Sequence, residues 1–368
     1  VEAQVHVDFH EMYASSSYFF FPPAEPLNPN YPLHSVKKWT EVFGEANARA
    51  FDERGWAYFT EEEFDMFYPG YGDSWPTFHG ATGMTYEQAG HSRAGLLLER
   101  RDGVALTLAD RMEHHFLSAL TTIETAAANR AERLESFHEF FVDGVRGAGK
   151  ESVKAYVLPA GKDPAETDDL VGLLLAHGIE VLKAEEGFRG ERLYDMDGRR
   201  VGSKEFSPGT YVVPMAQPLR RFAKSLIEPE TELPDTFFYD ITAWSLPLAY
   251  GVEAFAARKM PRCRLAEVTS PPRPRGGLIG SDPLFGFLVP WTGNGAPRML
   301  SALLERGFYV RFAAKSFRSG GRDFGAGTLI VPARRNPDST AAVMQRLAGR
   351  FGVQVYAASS GRTSKGID

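Results

Sequence analysis

Val5, Val7 and Phe9 alternate with His6, Asp8 and His10, and this period of two predicts a β-strand that stops at His10-Glu11. A loop rich in Ser, Phe and Pro follows, from Ser15 to Pro32. Between Ser35 and Arg54 the apolar residues Val36, Trp39, Val42, Phe43, Ala46 and Ala50 recur at helical spacing. Trp56 to Thr60 reads as a short strand. Thr60-Glu61-Glu62-Glu63 has the form of a helix start, with Thr60 as N-cap and Glu63 as its capping-box partner. Phe67 to Trp75 is a loop rich in Tyr and Gly, and Met84 to Gly90 is a second short strand, carrying Glu87. Thr107-Leu108-Ala109-Asp110 opens a helix running to about Val145, its apolar face made of Leu108, Met112, His115, Phe116, Ala119, Leu120 and Ile123.

The rest of the chain repeats itself. Tyr156-Val157-Leu158-Pro159 matches Phe287-Leu288-Val289-Pro290, and Leu174 to Val181 matches Leu303 to Val310. Gly209 to Pro214 matches Gly327 to Pro332. Each copy reads strand, helix, glycine turn, strand, then a Gly-Thr hairpin signal and another strand. Such βαβ units predict a mostly parallel sheet with helices packed on it, as two small domains or as one sheet. The glycines that follow the helices fit C-cap positions. Ser270 to Gly277, rich in Pro and Arg, links the copies.

A chain of 368 residues is long for one domain, so two or three are expected. The formal net charge of −6 and the lack of a basic block argue against nucleic-acid binding. Cys263 is the single cysteine, which excludes an intramolecular disulfide and a thiolate metal site. No apolar run reaches the length of a membrane span. The chain starts on a strand, with neither Met nor a signal peptide ahead of it. It is expected to be a piece of a longer protein, cut inside a catalytic domain, with any export signal upstream.

A histidine at the end of a buried strand sits where open α/β sheets place ligands and chemistry, although a lone histidine is more often a packed or surface residue. The order of features downstream adds to it: a strand-end histidine, a tyrosine loop, then a strand-end glutamate. Asp8-Phe9-His10-Glu11-Met12, Tyr18-Phe19-Phe20-Phe21-Pro22-Pro23 and Gly83-Met84-Thr85-Tyr86-Glu87-Gln88 resemble the bacterial carboxypeptidase A-like zinc metallopeptidases. The resemblance covers about the first third of the chain. It implies an α/β fold in which residues 1–148 are the C-terminal part of the catalytic domain. Residues 149–368 would form an α/β accessory region similar to class I glutamine amidotransferases, with copies at about 151–269 and 278–368.

The same resemblance implies a zinc site with His10 as the C-terminal metal ligand and Glu87 as the general base, acting on a peptide substrate. It implies that Tyr68, with Tyr71 as the second choice, closes over the peptide, and that the compartment is secreted or periplasmic. His79 lies between the tyrosine loop and Glu87 and is expected to line the pocket; Asp73 reads as an exposed turn residue. The family's other two zinc ligands belong to a His-x-x-Glu motif upstream of Val5, so this fragment is expected to be incomplete and inactive. His177-Gly178-Ile179-Glu180 has that spacing but lies at a helix-to-strand turn of the repeat and is rejected. His91-Ser92-Arg93 places Arg93 near a carboxylate or in a surface ion pair, and of His114-His115 one is expected packed and one exposed. The alternative to a peptidase is a non-catalytic peptide- or glycan-binding protein on the same scaffold.

Overall fold

The alternating run at the start does form a strand, and the strand it pairs with is the one that carries Glu87. The computed structural model describes residues 3–14, 16–90, 95–100, 102–161, 164–233, 244–272, 275–281 and 283–366. Its first region runs β1 (Val5–Met12), β2 (Tyr18–Phe19), β3 (Ala24–Leu27), α1 (Leu33–Asp52), β4 (Tyr58–Phe59) and β5 (Asp65–Met66). It continues through α2 (Ser74–Thr77), β6 (Thr82–Ala89), β7 (Leu97–Glu99), β8 (Ala105–Thr107), α3 (Leu108–Ala128) and α4 (Arg130–Arg146).

The main sheet of this region has the order β1-β6-β2-β4. β1 and β6 are parallel and in register from Val5 opposite Thr82 to Met12 opposite Ala89. β2 runs antiparallel to β6, and β4 parallel to β2. The expectation of a buried first strand is corrected: β1 is the outer strand, and of its residues only Met12 is buried. Thr60 to Glu63 does not start a helix either. Glu61 and Glu63 take left-handed backbone angles, φ 60° and 66°, which break a helix and turn the chain into β5.

α3 begins where expected, with a complete capping box between Thr107 and Asp110, but Asn129 separates it from α4. The face it buries is the opposite of the one expected. Arg111, His114, Ser118 and Thr122 point inward, while Met112, Phe116, Leu120 and Ile123 are exposed. The cause lies in the sheet beneath. Gln88, Tyr18 and Tyr86 present polar atoms that need partners once buried. His114 Nδ1 lies 2.8 Å from Gln88 Oε1, and the Tyr18 hydroxyl 2.8 Å from Ser118 Oγ. The Tyr86 hydroxyl lies 2.9 Å from Thr122 Oγ1 and accepts from Asn47 Nδ2 of α1 at 3.0 Å.

The second region comprises β9 (Ala155–Leu158), α5 (Pro164–Ala176), β10 (Leu182–Ala184), β11 (Phe188–Tyr194), β12 (Arg200–Phe206) and β13 (Tyr211–Pro214). It closes with α6 (Arg220–Ile227), α7 (Leu246–Ala249), β14 (Phe255–Ala257) and β15 (Leu265–Glu267). The third comprises β16 (Gly277–Ile279), β17 (Gly286–Val289), α8 (Gly295–Leu304), β18 (Arg311–Phe312), β19 (Phe317–Ser319) and β20 (Arg322–Phe324). β21 (Leu329–Pro332), α9 (Thr340–Phe351) and β22 (Gln354–Ala358) complete it.

The repeat is real in three dimensions, and the copies occupy separate sheets. In one, β14-β9-β13-β10 are neighbours; in the other, β22-β17-β21-β18. The expectation of a mostly parallel sheet is overturned, because every one of these pairings is antiparallel. β9 and β10 do run the same way, joined through α5, but β13 is inserted between them. Each copy is thus two interleaved split βαβ units. The antiparallel pairing leaves a mixed α/β architecture, and the finer likeness to class I glutamine amidotransferases that the resemblance implied is not supported by this strand order. The expected boundary at 148 falls in a 3-10 turn, Gly147–Gly149, and one apolar cluster from Met12 to Ala254 runs across it. A second cluster, Phe287 to Val355, belongs to the third region. Among the described residues no helix is long and apolar enough to cross a membrane.

Candidate functional site

Parallel pairing puts residues at matching positions on one face, and here it matches His10 with Glu87. His10 Nδ1 lies 3.0 Å and 3.1 Å from the two Glu87 carboxylate oxygens. The partners differ in setting: the His10 side chain is 61% exposed and that of Glu87 5%, so one end of the pair faces solvent and the other the core. Burial raises the Glu87 pKa above the usual carboxylate range; the His10 imidazole pulls it back, and Asp8 and Asp73 push it up again. Asp8 lies two residues before His10 on β1, opposite Thr85 on β6.

The tyrosine loop is seated on the same face, held at its base. Asp73 is not an exposed turn residue, as expected, but buried. Its carboxylate accepts from Ser74 Oγ at 3.1 Å and from Thr85 Oγ1 at 2.8 Å. Burial lifts its pKa to about 6 in spite of these bonds. Two glycines allow the approach: a Cβ on Gly72 would strike the Asp8 carboxylate, and one on Gly83 the Asp73 carbonyl oxygen. Tyr68 and Tyr71 meet edge to face with ring centroids 5.2 Å apart, and Trp244 flanks Tyr68 at 5.8 Å. The two tyrosines come together as a packed pair; the loop's link to His10 and Glu87 runs through Gly72 and Asp73.

His79 does not line a pocket at this pair, and that expectation is corrected. It is buried, with Nδ1 2.8 Å from the Trp75 carbonyl oxygen and Nε2 3.3 Å from that of His177. Its ring sits between Trp75 and Phe222, at the junction with the second region. His177 there accepts from Trp75 Nε1 at 3.1 Å, and Gly178 turns the chain at φ 76°. Of His114 and His115, both are packed rather than one: His115 Nδ1 lies 2.8 Å from the Tyr18 hydroxyl, and burial lowers the His114 pKa to about 4. His91-Ser92-Arg93 lies outside the described residues.

Asp8, Asp73 and Thr85 belong to the site and were not singled out as such from the sequence. Their signal was available in part, since Asp8 and Thr85 stand two residues before His10 and Glu87 and so share their face. An imidazole and a carboxylate are donors that zinc accepts, but a zinc site takes three or four protein ligands. Among the described residues no group of three or more His, Cys, Asp or Glu side chains could hold a metal ion. The pair therefore fits one ligand and a neighbouring base, not a complete metal site. No known family model, curated protein or solved structure matches the chain.

Proposed function

We propose that His10 and Glu87 are part of a zinc carboxypeptidase centre, with His10 as one metal ligand, Glu87 as general base and a peptide as substrate. The observation that carries this reading is the in-register pairing of an exposed imidazole with a buried carboxylate, 3.0 Å apart, near the C-terminal ends of adjacent parallel strands. Those ends are where open α/β sheets build sites. Zinc, when bound, supplies an acidified water, its pKa lowered from about 15.7 to about 7.

The chain's own residues would do the rest. Glu87, its pKa raised by burial, accepts a proton and returns it to the leaving amine. His10 would ligate as a neutral imidazole; with Nδ1 bonded to Glu87, Nε2 is the nitrogen left for a metal, and an Nδ1 proton can stay in that bond and orient the ring. Asp73 and Thr85 anchor the loop that carries Tyr68 and Tyr71, which would cover the peptide. The remaining ligands would have to come from beyond the described residues. A binding protein on the same scaffold is the second reading. It is favoured by the lack of a three-donor cluster among the described residues.

Two measurements test the proposal. In a longer protein that hydrolyses peptides, Glu87→Gln should cut turnover by about 10²- to 10⁴-fold and spare zinc content; unchanged turnover removes the general base. In the present chain zinc should bind weakly and lose even that on His10→Ala. Tight, one-to-one zinc in calorimetry would show that the ligand set is complete here and that the half-site is wrong.

A further inference from the structure

A cavity of about 770 Å³ lies at the other end of β6 from Glu87. Its walls are the first turn of α1, the turn that leads into β6, and one face of α4. Such a volume suits a ligand somewhat larger than a single amino acid.

Arg133 of α4 lines this cavity and is only 4% exposed. Its Nη2 donates to the Gly80 carbonyl at 2.7 Å and its guanidinium lies over the Trp39 ring at 5.1 Å. Its Nε is buried without a hydrogen-bond partner. The lining's other two long cations are neutralised, Lys38 by Glu132 and Arg221 by Asp143. No carboxylate pairs with Arg133 among the described residues, and a buried charge left so is costly. The first turn of α1 opens on the same space, with no capping side chain and no acidic residue, so its positive end is uncompensated as well.

A simple anion would answer Arg133 but would meet Glu135 and Glu139, exposed carboxylates on the cavity's rim. The interior is positive and the mouth negative. A molecule with a carboxylate at one end and an ammonium at the other matches both, and Trp39 and Phe140 offer it apolar wall. We propose that this cavity binds a short zwitterionic peptide, its C-terminal carboxylate against Arg133 and its amino end towards Glu135 and Glu139. The inference does not rest on the role given to His10 and Glu87.

Calorimetry on the whole chain with the dipeptide Leu-Phe, its C-terminal amide and its N-acetyl form tests this. Leu-Phe should bind. The amide should bind at least about tenfold more weakly, having lost a charged hydrogen bond. The N-acetyl form should lose about two- to fivefold, as should Leu-Phe on the Glu135→Gln/Glu139→Gln variant, whose changes are on the surface and leave folding intact. Arg133→Met should make acid and amide bind alike. His10→Ala should change nothing. Four outcomes overturn the proposal: no binding up to about 10 mM, an amide as tight as the acid, full displacement by equimolar inorganic phosphate, or loss of binding on His10→Ala.

Discussion

Around β6 the interior holds Glu87, Gln88, His114, Ser118, Thr122 and Arg133, whereas in the third region the buried polar side chains among the described residues are those of Thr328 and Thr340. There the core is Phe287, Val289, Met299, Leu303, Val331, Met344, Leu347 and Val355. Apolar burial stabilises without asking for a partner, whereas each buried polar group must find one. A fold that keeps imidazoles, a glutamate and a guanidinium inside its first region gives up stability there and gains groups with shifted proton affinities. That is the arrangement expected around a site and not in a scaffold.

The largest test of this contrast lies in the third region. Leu303→Ala removes a fully buried side chain and should cost about 2–5 kcal/mol in denaturant unfolding. A loss under about 1 kcal/mol would mean that the repeat core is loosely packed and that the two regions do not differ as described.

Next come two buried ionisable groups on opposite faces of the first sheet. Asp73 has a folded pKa of about 6, above its ordinary 3.8, so its contribution to stability is complete below about pH 3.8 and is lost as pH rises through about 6. His114 has a folded pKa of about 4, below its ordinary 6.5, so its contribution is present above about pH 6.5 and is lost as pH falls towards 4. In the intact protein these slopes oppose each other between pH 6.5 and 4. Asp73→Asn should therefore make acid more damaging, by up to about 3 kcal/mol across that window. His114→Gln should make acid less damaging, by a comparable amount. Urea unfolding of each variant against the parent at several pH values checks this. A difference that stays flat from pH 4 to 7 would remove Asp73 or His114 from the account.

A smaller effect belongs to Thr122. Thr122→Val keeps the shape but takes one partner from the Tyr86 hydroxyl, which retains Asn47. The expected cost is about 1 kcal/mol, and a neutral result would mean that α3 does not turn its polar stripe inward to satisfy the sheet.

These residues also show what the chain discloses before it folds. Alternation revealed β1, and spacing revealed α1, because those signals are local. The start of α3 was legible from Thr107 and Asp110, but its buried face was not. That face is set by hydroxyls and an amide on strands far away in sequence, and a rule that turns apolar residues inward cannot see them. The strand β13 was expected, but its place was not: its insertion between β9 and β10 is a pairing choice, and the helix between two strands reads alike with or without it. His10 was singled out by its place at the end of an alternating strand and, with Glu87, through a resemblance; the two meet because β1 and β6 pair in register. The burial of Asp73 depends on the missing Cβ atoms of Gly72 and Gly83, a close approach that composition alone does not reveal.

The smallest expected effect is the most direct probe of the reversed helix. Phe116 is 71% exposed and Met112 65%, so replacing Phe116 by Ser removes little contact and changes helix propensity slightly. Stability should move by less than about 0.5 kcal/mol, against about 1 kcal/mol for Thr122→Val one and a half turns further along the inner face. The order of the two costs matters more than either value, because an ordinary amphipathic helix would give the opposite order. Should Phe116→Ser cost more than Thr122→Val, and should that cost grow with protein concentration, the apolar stripe is covered in solution and its exposure here belongs to the isolated chain.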